Sequence, residues 1–302
     1  MIKSPLRYPG GKSRAVDYIY EVIPQYKELR EPFFGGGSFS FYCIQKRPYA
    51  QYYANDINYD LYCFWKELKS HNDELIAAIL TVKREYNNGR ALFQELVAKR
   101  TQALSDFQRA VDFFVLNRIT FSGVVDSGGY SEQAFKKRFT LSSIERLKDA
   151  HKVVKSIEFS PKDYTDLLFR EGEDIFIFLD PPYYSATQSR LYGKKGYLHR
   201  DFDHELFFKN MKQCKHKWLI TYDNSDYIRE SFQDFYQVEW ELQYGMNNYK
   251  QKIAQKGQEL LIANYDIKRL IERQILFTPT RTQHILPPGN KKEGHSKTQF
   301  PH

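Results

Sequence analysis

Residues 176–185 read FIFLDPPYYS. The continuous apolar run from Ile175 to Leu179 suits a central strand of a parallel sheet covered on both faces. It ends on a carboxylate, Asp180, where open α/β sheets hold their ligands. Pro181 and Pro182 lack an N–H and fix φ, so the chain leaves the strand stiffly and the Pro181 carbonyl is aimed. The Asp180 carboxylate and the Pro181 carbonyl make two acceptors with no donor. That pair matches an NH₂ group on a planar ring, and Tyr183 offers a face to stack on it. The plain alternative is an Asp-Pro-Pro turn with packed tyrosines. The coincidence of strand end, double proline and rings favours a site.

Working outward, strand patterns alternate with helical ones. QYYAND (51–56) precedes an amphipathic stretch, Asn58–Leu68, and KSIEFS (155–160) precedes a helix at Tyr164–Phe169. DIFIFLD (174–180) is the central strand. KWLITYD (217–223) is followed by a helix at Asp226–Phe232, and YQVEWEL (236–242) with ELLIANYD (259–266) reads as a terminal antiparallel hairpin. Such alternation predicts right-handed crossovers and a doubly wound, Rossmann-like α/β sheet. Residues 69–138 break the alternation with DELIAAILTVKREY, ALFQELVAKR and FQRAVDFFVLNRITF, so a mostly helical inserted domain is expected there. The remaining 1–68 and 139–270 form the main domain. Residues 271–302 lack periodicity and read as a disordered basic tail.

The 302 residues carry a formal net charge of +8, with 41% hydrophobic and 16% aromatic content. A full core is therefore available, and aromatics in this number also serve to stack on flat ligands. The charge is unevenly placed: Lys268–His302 holds seven Lys/Arg against two acids, and Lys83–Arg138 holds ten against six. Cys43, Cys63 and Cys214 are far apart, with neither disulfide-framework nor zinc spacing. They suit a reducing, cytoplasmic setting. No secretory signal or membrane-spanning run is expected.

Two glycine-rich turns carry further chemistry. In LREPFFGGGSFSF a strand ends at Glu31, and Gly35-Gly36-Gly37 opens a helix. Glycines there allow a tight turn and close approach of a ligand to the backbone. Asp56, 19 residues after Gly37 at the end of the next strand, stands where an acidic residue bonds ribose hydroxyls. Glu31 counts against a pyrophosphate and suits a ligand of positive charge. RYPGGK (7–12) is the second turn, with Tyr8 before it and Lys12 after it.

Taken in order, these elements resemble the DNA adenine methyltransferases of the Dam type, the α-group of amino-methyltransferases. SPLRYPGGK looks like the N-terminal motif of that family, EPFFGGGS like its cofactor loop, and ANDIN like the Asp motif that follows. DPPYY matches D-P-P-Y, and ELLIANY looks like the closing strand. The likeness covers most of residues 4–266. It implies a methyltransferase sheet, S-adenosylmethionine as cofactor and double-stranded DNA as partner, with methyl transfer to the adenine amine after base flipping. A cognate restriction endonuclease is a candidate partner, and a monomer is the expected state.

By position, Tyr8, Gly11 and Lys12 would line the cofactor from the N-terminal turn. Glu31, Phe33, Gly35 and Gly37 would hold its methionine part, Asp56 its ribose, and Asp163 with Tyr164 its adenine. Asp180, Pro181, Pro182 and Tyr183 would form the catalytic segment. No metal and no cysteine nucleophile are called for.

The likeness departs in NRITFSGVVDSGGYS (117–131). Asn117, Arg118, Phe121 and Gly123 keep the family pattern, but Ser122 replaces an Asn and Asp126 stands where the family has a base-contacting Arg. A carboxylate accepts from a cytosine amine but cannot bond the acceptor edge of guanine, so a recognition sequence other than GATC is expected. Arg90, Lys99, Arg100, Arg118, Lys136, Lys137 and Arg138 are candidate phosphate contacts, with Lys194 and Lys195 in the basic loop 189–202. The rival readings are a ribosomal RNA adenine methyltransferase and a non-catalytic DNA-binding protein on the same scaffold.

Overall fold

The computed structural model describes residues 1–184, 202–243 and 256–277. Its strands are β1 (Glu28–Glu31), β2 (Gln51–Asn55), β3 (Ile157–Ser160), β4 (Ile175–Leu179), β5 (Lys217–Asp223), β6 (Tyr236–Gln243) and β7 (Lys256–Ala263). They form one seven-stranded sheet in the order β3-β2-β1-β4-β5-β7-β6. β1 to β5 run parallel, and β7 is antiparallel to both β5 and β6. This is the doubly wound sheet with a terminal hairpin expected from the sequence. β7 starts at Lys256, earlier than its apolar run suggests, because Gly257 and Gln258 still pair with β6.

Every residue of β4 is buried, as the FIFL run requires. Phe176 and Phe178 join the cluster on one face of the sheet, while Ile175, Ile177 and Leu179 join the cluster on the other. Helices lie on both faces: α1 (Val16–Glu21), α2 (Ser38–Lys46), α3 (Tyr59–Ser70), α8 (Leu141–Val154), α9 (Tyr164–Phe169), α10 (His204–Gln213), α11 (Asp226–Ser231) and α12 (Ile267–Phe277). Their starts are written in the chain. Asn58 accepts from Leu61 N at the head of α3, Thr140 and Ser143 form a reciprocal capping box on α8, and Asp163 caps α9.

Between residues 69 and 138 the structure is helical: α4 (Asn72–Glu85), α5 (Gly89–Lys99), α6 (Asp106–Ile119), a 3₁₀ turn at Phe121–Gly123 and α7 (Glu132–Arg138). α6 packs on α3, and α4 packs on α8. Phe113, Phe114 and Leu92 belong to the same buried cluster as Leu29 and Phe176. The helices thus extend the core of the sheet.

One expectation fails at the C-terminal end. Residues 271–277 are the second half of α12, not a disordered tail. Ile267 and Ile271, one helical turn apart, are both buried, and the helix packs against α1 and β6. Two isoleucines at i, i+4 outweigh the basic composition around them. Residues 278–302 lie outside the described residues. No helix among the described residues is long and apolar enough to cross a membrane.

Candidate active site

β1 and β4 are neighbours, and β1 turns to β2 on its other side, so a crevice opens beyond their carboxyl ends. Glu31 and Asp180 stand at those ends. Asp180 is only partly buried, and its carboxylate already has three donors. Lys12 Nζ donates to Oδ1 at 2.8 Å and to Oδ2 at 2.9 Å, and Thr221 Oγ1 on β5 donates to Oδ1 at 2.7 Å. Lys12 is 3% exposed, and its third proton goes to the Gly10 carbonyl at 3.0 Å. Its ammonium also lies 5.1 Å from the centroid of the Tyr183 ring.

The sequence reading put Lys12 on the cofactor; the structure puts it on Asp180. The turn explains why. Gly10, at φ 74°, and the Gly11 N–H bonded to the Tyr8 carbonyl reverse the chain and bring the Lys12 ammonium to Asp180, just past the end of β4.

Glu31 is buried and accepts from the Ser40 N–H at 3.1 Å and from the Ser40 hydroxyl. Burial pushes its carboxyl up to about 8 against those two bonds, with Asp180 and Asp56 adding to the rise. A cation placed beside it would be strongly favoured.

The glycine loop is shaped by Tyr8 and Phe34. A Cβ on Gly35 would stand 2.6 Å from Tyr8 Cε1, one on Gly36 2.7 Å from Tyr8 Cβ, and one on Gly37 2.3 Å from Phe34 Cζ. Gly37, at φ 65°, caps α2. Asp56 fastens the loop by accepting from Gly35 N at 2.8 Å, and it also accepts from Asn58 N at 2.9 Å. Burial pushes the Asp56 carboxyl up to about 6 in spite of these bonds.

A narrow slot of about 60 Å³ runs between Phe33, Asp56, Ile57, Asp163, Tyr164 and Phe202. Phe33 stacks on Tyr164 with centroids 5.4 Å apart, and Phe202 closes edge-on. Asp163 is held by its capping bonds to Thr165 N and Oγ1, at 3.0 and 2.6 Å. The residues assigned by position to ribose and adenine thus meet in one place.

Tyr183 is half-buried with Tyr222 at 6.0 Å, and Tyr184 stacks on Tyr227 at 4.3 Å. Two site residues escaped sequence reading. Thr221 alternates unremarkably within KWLITYD. Glu259 is 1% exposed on β7, and burial pushes its carboxyl up to about 7. The one signal for it was a carboxylate heading an apolar strand, ELLIA.

The candidate DNA contacts fare unevenly. Arg90, Lys136, Lys137 and Arg138 are exposed. Lys99 is paired with Glu95, and Lys136 with Glu132 at 3.0 Å. Arg100 and Asp126 bond each other, Arg100 also reaches Asp60 at 3.1 Å, and Asn58 donates to Asp126 at 3.1 Å. Neither is idle, because the loop folds back on α3. Ser122 sits at φ 55° beside the exposed Phe121. Arg118 is 3% exposed, so it is a buried residue and no open phosphate contact. Lys194, Lys195 and most of the basic loop lie outside the described residues.

Residues 8–246 match the family model for D12 class N6 adenine-specific DNA methyltransferases. The DNA N-6-adenine-methyltransferase of Escherichia phage P1 is 27% identical over 77% of this chain and 31% of that protein. The type II methyltransferase M.MjaIII of Methanocaldococcus jannaschii is 25% identical over 87% of this chain and 99% of that one. The DNA adenine methylase of Escherichia coli K12 is 26% identical over 59% of this chain and 64% of that one. The chain therefore spans about a third of the phage relative and nearly all of the archaeal one. Among solved structures, precorrin-6y C5,15-methyltransferase from Geobacter metallireducens aligns at a TM-score of 0.32 with 10% identity, over 83% of this chain and 87% of that one. That likeness is too distant to bear on the fold. With 8–246 matched, from the N-terminal turn through DPPYY to the edge strand, the chain belongs to the D12 class of N6 adenine-specific DNA methyltransferases.

Proposed function

We propose that this chain transfers the methyl group of S-adenosylmethionine to the exocyclic N6 amine of adenine in double-stranded DNA. The observation that carries the reading is Asp180, fixed by Lys12 and Thr221 at the end of β4 with one acceptor position left over. Four lone-pair sites less three donors leave one on Oδ2.

The residues present fit the cofactor. Glu31 is a buried carboxylate suited to a sulfonium. The loop Gly35–Gly37 leaves the backbone bare where Tyr8 closes over it, and the Phe33–Tyr164 slot carries the Asp56 and Asp163 carboxylates suited to a hydroxylated nucleoside. When bound, the cofactor supplies an electrophilic methyl group. What this chain adds is placement and charge.

The target amine of a stacked duplex must be turned out of the helix. Tyr183 then offers a ring to the base. Asp180 and the Pro181 carbonyl, stiffened by Pro182, accept hydrogen bonds from the two amine N–H groups, which turns the nitrogen lone pair away from the ring. The positive charge that grows on nitrogen is met by a carboxylate already oriented by Lys12. The exposed face of α7, with Lys137 and Arg138, is suited to backbone phosphates.

Asp180→Asn tests the assignment. It is expected to bind cofactor while losing transfer of a tritiated methyl group to duplex DNA. Ordinary turnover by a folded Asp180→Asn protein would overturn it. Methylation of RNA in preference to duplex DNA would favour the ribosomal RNA reading instead.

A further inference from the structure

The β5–β7 pairing sets Asp223 opposite Glu259 and Thr221 opposite Leu261, so these side chains share one face of the sheet. Thr221 bonds Asp180, and Asp223 accepts from the Tyr184 N–H at 2.8 Å. The segment from Asp180 to Tyr184 is thereby strapped across β5 at two points, with Tyr183 between them and Glu259 next in line. Both carboxylate oxygens of Glu259 and the hydroxyl of Tyr183 are buried, and none has a hydrogen-bond partner among the described residues. Two orphaned polar groups side by side are costly, and each is the other's remedy.

We propose that Glu259 is a positioning residue for methyl transfer: its carboxyl group engages the Tyr183 hydroxyl and so fixes the ring on which the target base stacks. The inference rests on the function proposed above. The two groups also act on each other electrostatically. Burial, then Asp180 and Glu259, raise the Tyr183 hydroxyl well above its ordinary value, while Thr221 acts the other way. The groups facing Glu259 are Lys12 from the N-terminal turn, Asp180 and Tyr183 from the end of β4, and Asp223 from β5. Protonated or ionised, Glu259 can complete the bond, as donor to the hydroxyl or as acceptor from it. Glu259 does not itself reach the base. It acts through Tyr183, which is why the sequence motif around Asp180 does not contain it.

The test is a double-mutant cycle on Tyr183→Phe and Glu259→Leu, read in single-turnover methylation of duplex DNA. A second readout is the fluorescence of a duplex carrying 2-aminopurine in place of the target adenine. Each single variant is expected to lose about tenfold in turnover, and the double variant about the same as either. The two singles are expected to shift the 2-aminopurine signal alike, and Glu259→Gln, which keeps an acceptor and a donor, to recover most of the loss.

Glu259→Leu keeps an apolar side chain of similar size in the buried site, and its melting temperature is measured beside its turnover, so that a lost fold and a lost bond are told apart. Tyr183→Phe takes away one oxygen and serves as the second, fold-neutral arm. Losses that multiply in the double variant, or a Tyr183→Phe protein that turns over like wild type, overturn the positioning role alone. Absence of methyl transfer by the wild-type chain overturns the function and the role together.

Discussion

The ammonium of Lys12 bridges both carboxylate oxygens of Asp180, at 2.8 and 2.9 Å, from a turn 168 residues earlier in the chain. This contact separates two roles for Lys12. A cofactor-binding lysine would change cofactor affinity when replaced. A lysine that orients Asp180 would change turnover. Lys12→Met is expected to lower kcat by about a hundredfold while the dissociation constant for S-adenosylmethionine moves less than about threefold. Calorimetric titration and single-turnover kinetics on the same preparation measure both. A large rise in the dissociation constant with kcat intact would return Lys12 to the cofactor.

Glu31 carries a pH dependence whose sign can be worked out. Its carboxyl is pushed up to about 8 from an ordinary value of 4.5, so the folded cofactor-free protein holds a proton there that the unfolded chain gives up. Stability of the cofactor-free protein therefore falls as pH rises from 4.5 to about 8, and the contribution is flat above that. A sulfonium favours the ionised carboxylate, so cofactor binding expels the proton. Affinity for S-adenosylmethionine is expected to rise with pH up to about 8, by at most about tenfold per unit, and then level. Glu31→Gln should bind more weakly and show no such slope. Titrations from about pH 6 to about pH 9 check both, with release of a proton into two buffers of different ionisation enthalpy as a second sign.

Much of the sheet was legible because its signals are local. The all-apolar β4, the strand-and-helix alternation around it and the strand-ending carboxylates Glu31, Asp56 and Asp180 each show in a few neighbouring residues. The partners across the sheet were not. Lys12 meets Asp180, Thr221 meets Asp180, and Glu259 nears Tyr183 only because β4, β5 and β7 come together, and sequence periodicity says nothing of such meetings. Charge misled in the same way. Arg118 and Arg100 read as free cations, yet Arg118 is buried near the end of α6, and Arg100 is bonded to Asp126 of the loop that follows and to Asp60 on α3. The α12 helix was hidden by its basic composition, although Ile267 and Ile271 already held its buried stripe.

The glycine loop and Tyr8 make a stability prediction. At Gly35 an alanine meets two obstacles: a φ of 49° and a Tyr8 ring carbon 2.6 Å from its Cβ. The first costs about 1 kcal/mol whatever the neighbours do. The second vanishes if the ring is removed. Gly35→Ala is expected to destabilise by about 2–3 kcal/mol and, in the Tyr8→Ala background, by only about 1 kcal/mol. Equal effects in both backgrounds, read from urea melts, would mean that Tyr8 does not pack on the loop.

Arg118 yields a prediction of opposite signs. Its Nε and Nη2 are buried without a hydrogen-bond partner among the described residues, and its guanidinium lies 5.1 Å from the Phe114 ring. Burial, then Arg146, Arg7 and Arg138, bring its pKa down to about 9. A buried cation among like charges is a net cost, so Arg118→Met, similar in length and apolar, is expected to raise stability by about 1–3 kcal/mol. An arginine shut away from solvent cannot release a counterion from DNA, so the same variant should leave the salt dependence of DNA binding within about half a unit of wild type. Lys137 and Arg138, on the open face of α7, should behave the other way. Each alanine there is expected to flatten the slope of log affinity against log salt by about one, with little change in melting temperature. Binding of a short duplex at four salt concentrations, measured for all three variants, checks the contrast. A full-unit drop for Arg118→Met would mean that the guanidinium reaches a phosphate when DNA binds.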